Sequence, residues 1–306
     1  MNRKVVFMQN YIILFCEEFG YPEEAKDVLE NAHRLILDNP NTQELFYRYI
    51  YVYNKDELED YDLVFPLLDE VSKITGIHTY TVQLLFFICL TKHTRKMYQD
   101  RFIPYEIFHN SMSDMRWKLI ECYNMYGIWG CFHAYWFPRF FNLTRFALGR
   151  LQYETYSCEE SYDNGIYHVN PGDKVINIHI PSSGPLTKEA CMESYKKAYE
   201  FYQSEFEGDV IPFVCDSWLL YPKHTEFLPE NSNILKFMED FTIVKTKIDE
   251  NYSDLWRIFQ LDYHQNIDDM PQATSLQRAY VDWIKTGNPV GTGYGIFFFD
   301  GENIIK

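Results

Sequence analysis

The sequence predicts an α+β fold: a helical N-terminal domain over residues 1–126, then a mixed, mostly antiparallel sheet flanked by helices over residues 127–306. Three observations carry this. Apolar residues recur at helical spacing up to about residue 126. After Gly127, short β-type runs take over. One segment alone, Val175 to Phe206, follows a strand with a long helix as a parallel pairing requires.

Val5, Met8, Ile12 and Phe15 give the first helix one apolar face, and Pro22 opens a second that ends before Asp38-Asn39-Pro40-Asn41. Further helical periods run over about 42–53, 56–72, 78–94 and 104–126, each bounded by Asn, Pro, Gly or Thr. None carries a metal-ligand spacing such as HExxH, so no metal is expected. The stretch from Trp129 to Leu143 is strongly aromatic and reads as core. Strands are expected at Phe146–Tyr156, near Ile166–Val169, at Val175–Ile180 and within Val210–Leu220. A short helix over Asn231–Phe241 has Ser232 or Asn231 as its cap. Thr242–Ile248 and Trp256–Leu261 read as a hairpin pair. A helix near Ser275–Thr286 stops at Gly287, and an aromatic strand, Tyr294–Phe299, ends at the turn pair Asp300-Gly301.

At 306 residues two domains are the better prior, and 46% apolar residues suffice for real cores. The net charge of −16 argues against nucleic acid and against anionic membranes as partners. Seven cysteines without a CxxC pair read as buried thiols of a reducing compartment. Glu17-Glu18 follow the first apolar stretch without a small-residue cleavage site, and the run Leu84–Leu90 is too short to cross a bilayer. These features together read as a soluble, cytoplasmic protein.

The run Val175 to Phe206 is the focal element. A strand passes through Pro181-Ser182-Ser183-Gly184-Pro185-Leu186 into a helix opening at Thr187, which points backbone N–H groups and a helix dipole at one spot, suited to a phosphate. Arg145, Arg150, Lys174, Lys188, Lys196 and Lys197 lie nearby in sequence as a candidate basic patch, or as ordinary solvated charges. Val175, Asn177 and His179 share one face of the strand. His179 suits a base near neutrality, the blander alternative being a core histidine. Glu154 is a second candidate base and Tyr221 a candidate acid. Asp216 and Ser217 interrupt an apolar strand, with Arg150 as a partner for Asp216; Cys215 beside them reads as a packed thiol or, less simply, as a nucleophile with His179 and Asp216.

Phe146-Ala147-Leu148-Gly149-Arg150-Leu151-Gln152-Tyr153-Glu154, His179-Ile180-Pro181, Gly184-Pro185-Leu186, the run Phe213 to Pro222 and Asn231-Ser232-Asn233-Ile234 together carry a resemblance. They are similar to the acyltransferase family that joins a helical N-terminal domain (N-acyltransferase type) to a GNAT-like C-terminal domain. The resemblance implies acyl transfer from coenzyme A, as acetyl-CoA or another acyl-CoA, to a small amine or peptide amine. It places the pantetheine beside the strand at Ile178 and Ile180, and the pyrophosphate on Ser182, Ser183, Gly184 and Leu186. His179 or Glu154 then acts as base and Tyr221 as acid, with Arg150, Asp216, Ser217 and Trp218 toward the acceptor. GNAT enzymes carry an Arg/Gln-x-x-Gly-x-Gly/Ala loop, whereas this segment has one glycine, and Pro181 and Pro185 each lack a donor. That departure motivates the alternative of a non-catalytic binding module on a GNAT-like scaffold.

Overall fold

A computed structural model describes residues 3–263 and 266–306; the side chains of residues 3–7, Val5 among them, lie outside the described ones. The chain divides into two compact units, Met1–Phe146 and Ala147–Lys306.

The first unit is helical: α1 (Arg3–Glu18), α2 (Glu23–Asp38), α3 (Pro40–Tyr53), α4 (Phe65–Thr75), α5 (Thr79–Asp100), α6 (Tyr105–Tyr126) and the single turn α7 (Pro138–Phe141). Helix α5 is its axis. Leu84, Leu85, Phe86, Phe87, Ile88, Cys89 and Leu90 are all buried, so the helix is apolar all round and the others pack about it. The aromatic stretch joins this core, with Phe137 and Phe141 placing their rings 5.2 and 5.1 Å from Phe87. Thr94 of α5 meets a neighbour's hydroxyl: its Oγ1 is 2.8 Å from Tyr53 Oη, and Tyr53 also donates to the Phe141 carbonyl. The helical period expected from residue 56 starts later, at Phe65. Asp60 caps a short 3₁₀ turn at Tyr61–Leu63, and Pro66 then takes the first turn of α4, where its missing N–H costs no bond.

Strands β1 (Arg145–Leu148, across the division), β2 (Leu151–Ser157), β3 (Tyr162–Asp163), β4 (His168–Val169) and β5 (Lys174–His179) are followed by α8 (Lys188–Tyr202) and β6 (Ile211–Ser217). Then come α9 (His224–Phe227), α10 (Asn233–Met238), β7 (Thr242–Ile248), α11 (Trp256–Phe259), α12 (Ser275–Lys285), β8 (Gly291–Phe299) and β9 (Ile304–Ile305). The main sheet runs β1-β2-β5-β6-β8-β7, with β9 beside β8. Strands β5 and β6 pair in parallel through the α8 crossover, while β2–β5, β6–β8, β7–β8 and β8–β9 are antiparallel. The fold is α+β, as the sequence predicts.

The segment expected as one strand over Phe146–Tyr156 is broken at Gly149-Arg150, because Gly149 takes φ +79° and turns the chain back. The expected hairpin of Thr242–Ile248 with Trp256–Leu261 does not form. Thr242–Ile248 pairs with β8 instead, and Trp256–Phe259 is a helical turn whose Ile258 and Phe259 enter a satellite core with Tyr280, Val281 and Ile284. Burial against α12 decides the conformation of that short apolar run, which strand propensity alone misread. Ser232, not Asn231, caps α10.

Each face of the sheet has its own cover. Tyr195 of α8 packs on Phe213 and Phe297, and on this face Ile176, Ile178 and Cys215 are also buried. On the other face Val175, Val214, Ile296 and Phe298 form a cluster covered by Tyr162 and Tyr167 from the β3–β4 hairpin.

Candidate active site

Beyond that second cluster the same face turns polar. In the β2–β5 ladder Gln152 stands opposite His179 and Glu154 opposite Asn177, so all four side chains emerge on one face. Glu154 reaches diagonally to His179, with Oε1 2.6 Å from Nε2, and Asn177 Nδ2 is 3.4 Å from the same nitrogen. Glu154 is 2% exposed, whereas the His179 side chain keeps 20% of its surface open. With Glu154 ionised, the carboxylate only accepts, so in that state Nε2 is the donor to it and Nδ1 is the basic nitrogen of a neutral ring.

The strands around this pair part. Among the described residues the β5–β6 ladder ends at Asn177–Val214, although β5 continues to His179 and β6 to Ser217. Each remains in the sheet through its other neighbour, β5 through Gln152 on β2 and β6 through Gly293 on β8. Pairing between these two parallel strands therefore stops just before the point where the chain leaves β5 for the loop. Ligands of open α/β sheets settle at such strand ends.

The loop from Pro181 to Leu186 follows. Gly184 takes φ +105°, and nothing lies within 4 Å of where its Cβ would be. Ser183 and Leu186 are half-buried and Ser182 is exposed. Thr187 caps α8 by accepting from the Ala190 N–H. Ile178 is buried on the α8 face, so its side chain points away from His179; Ile180 is half-buried beyond the strand end.

The remaining expected residues are distributed differently. Tyr221 packs against the face of β8 presented by Gly291 and Gly293, where a Cβ on Gly291 would lie 2.7 Å from its ring. Tyr294 alternates with those glycines and shares the other face with Asp216, so Tyr221 is not on the face of His179 and Glu154. Burial raises the pKa of its phenol. Ser217 Oγ accepts from the Leu219 N–H and thereby caps the turn after β6. Trp218 packs edge-on to His224 and Tyr280. Asp216 lies on the His179 face, its carboxyl pKa raised by partial burial and by Glu159, while Thr292 donates to it. Arg150, expected as its partner, holds the loop instead: its guanidinium donates to the carbonyls of Pro181, Gly184 and Pro185 at 2.9, 2.9 and 3.1 Å.

Cys215 is not a nucleophile of this site. It is 0% exposed, alternates onto the face opposite His179, and burial drives its thiol pKa far up. Nor do the flanking cations assemble an unpaired basic patch. Lys174 pairs with Glu205, Lys196 with Glu302 and Lys197 with Glu193 at the surface, and Lys188 pairs with the buried Asp240.

A helical unit followed by a splayed mixed sheet, with a strand–loop–helix crossover beside the splay, defines the class as a two-part acyltransferase-type fold. Residues 11–143 match the N-acyltransferase N-terminal domain, and residues 145–297 match the GNAT-like C-terminal domain. The chain belongs to the N-acyltransferase family with a GNAT-like C-terminal domain. Among solved structures it is similar to an acyltransferase in complex with decanoyl-CoA and teicoplanin, at TM-score 0.69 and 19% identity over 92% of this chain and 85% of that one. A mutant acyltransferase in complex with octanoyl-CoA matches at TM-score 0.69 and 18% identity, over 92% and 85% of the two chains. An acyltransferase in complex with CoA and 10C-teicoplanin matches at TM-score 0.63 and 20% identity, over 90% and 88%. At these identities the likeness is one of fold. No curated protein matches the sequence significantly. Among the described residues no helix is long and apolar enough to cross a membrane.

Proposed function

We propose that this protein transfers an acyl group from a coenzyme A thioester to an amine of a small molecule or peptide. The observation that carries the reading is the His179–Glu154 pair on the polar face beside the parted ends of β5 and β6. The residues present suit the donor. The β5–β6 ladder stops at Asn177–Val214, and the edge of β5 beyond it suits the amides of a pantetheine arm, while the N–H groups at the start of α8 suit a diphosphate. That solved relatives of this fold hold decanoyl-CoA, octanoyl-CoA and CoA supports the choice.

Bound there, a coenzyme A thioester supplies the activated acyl carbonyl. His179 Nδ1 takes the proton of the amine as the C–N bond forms, and Glu154 holds the ring and balances the imidazolium charge. His179 then returns that proton to the departing sulfur as the C–S bond breaks, so the balance closes without Tyr221. Arg150 supports the loop, and Asp216 on the same face draws the amine in its cationic form, which sheds one proton to solvent before the neutral nitrogen attacks. A scaffold kept only for binding has no need of a carboxylate buried against a partly open histidine, and for this reason catalysis is preferred.

The test measures thiol release from acetyl-, octanoyl- and decanoyl-CoA across a panel of amines and peptides, with amide product identified by mass. Release that requires an amine and is lost in His179→Ala supports the reading. Binding of CoA species without turnover on any amine would return the protein to the binding-module alternative.

A further inference from the structure

We infer that Arg150 is the positioning residue that prepares the Pro181–Leu186 loop for the diphosphate of coenzyme A, in place of the glycines this loop lacks. The inference rests on the reading above and deepens it. Glycine-rich phosphate loops work because their backbone turns N–H groups outward without a Cβ in the way. Here the loop has one glycine and two prolines, so something else must set its peptide planes.

Arg150 does so from outside the loop. Each of its three nitrogens donates to a different carbonyl: Nη1 to Pro181, Nη2 to Gly184 and Nε to Pro185. The peptide bonds are trans, so a carbonyl aimed at the guanidinium aims the following N–H the opposite way; this holds for Pro181 and Pro185, whereas Gly184 is followed by a proline without an N–H. The Pro181 carbonyl thereby turns the Ser182 N–H outward, and the Pro185 carbonyl turns the Leu186 N–H outward. The planar fork of arginine is suited to this, and a lysine ammonium is not. Burial lowers the pKa of the guanidinium, as expected of a group sunk into the loop.

Arg150 is itself held fast. Ser194, fully buried on α8, donates to the Leu148 carbonyl at 2.5 Å and accepts from the Leu151 N–H and the Tyr153 hydroxyl at 3.1 and 2.8 Å. The turn between them contains Gly149, where a Cβ would lie 3.3 Å from Ser194 Cα. The helix whose N-terminus faces the ligand thus also fixes the turn that carries the arginine. Hairpin, helix and loop form one closed unit.

The test compares CoA with pantetheine, which lacks the diphosphate, by calorimetry on the full chain and its Arg150→Lys and Arg150→Ala variants. Amide exchange over residues 182–188 is followed in the ligand-free proteins. We expect Arg150→Lys to weaken CoA about tenfold, leave pantetheine unchanged and speed loop exchange, with Arg150→Ala weakening CoA further. A variant pair that keeps the wild-type preference for CoA over pantetheine overturns the role of Arg150 and spares the proposed function. A wild-type chain that binds neither compound overturns the proposed function, and this inference with it. Should Arg150→Ala fail to fold, the lysine variant still decides.

Discussion

Glu154 stands opposite Asn177 in the β2–β5 ladder, yet its carboxylate meets His179, one diagonal step along the same face. The geometry follows from antiparallel pairing, in which diagonal neighbours lie within reach of a long side chain. It makes the pair a unit whose members are expected to fail together.

Glu154→Gln should lower kcat for amine-dependent thiol release by about a hundredfold, with little change in KM, since an oriented base contributes roughly 10²–10⁴-fold. His179→Ala should cost at least as much, and the double variant little more than His179→Ala alone. Additive losses in steady-state kinetics would mean that the two residues do not act as one base.

Gly184→Ala should cost about 1–2 kcal/mol of global stability and weaken CoA. The residue takes φ +105°, a conformation that penalises any side chain, while open space surrounds its Cβ position. The strain, about 1–2 kcal/mol, falls on a surface loop and is read by calorimetry with CoA, alongside a thermal melt.

Stability should fall as the pH drops from about 7 to 5. Burial lowers the pKa of both His33 and His224 to about 4, against 6.5 for a free histidine. Below 6.5 the unfolded chain takes up protons that the native core refuses, so stability is lost as pH falls through that window and is unaffected above it. By pH 5 each histidine accounts for about 2 kcal/mol by this linkage. His33 bonds to Gln9 and Tyr47, and His224 to Tyr280, so neither ring turns out to water easily. Urea melts of the native chain and of His33→Gln and His224→Gln check this: each variant should flatten the slope.

Cys215→Ala should keep full activity, and iodoacetamide at pH 8 should not label Cys215 in the folded protein. Its thiol is buried, raised in pKa, and on the α8 face of the sheet. Native labelling that abolishes turnover would restore the cysteine-dependent chemistry that the fold argues against.

The sequence by itself determined the sequence of grammars. Helical periods to about residue 126, then strands with one crossover at Val175–Phe206, were enough for an α+β class, because periodicities of 3.6 and 2 residues are local properties. It also placed Asn177 and His179 on one face by alternation within a single strand. What tertiary structure decided was pairing between strands. Which residue of β2 faces His179, that β5 and β6 part after Asn177, that Tyr221 falls behind the sheet, and that Arg150 turns to the loop and not to Asp216 all depend on register. A register is a relation between distant segments, and a shift of one residue would carry Glu154 to the opposite face. Trp256–Phe259 shows the same limit in the fold: four residues favourable to a strand become a helical turn because α12 offers them a place to be buried.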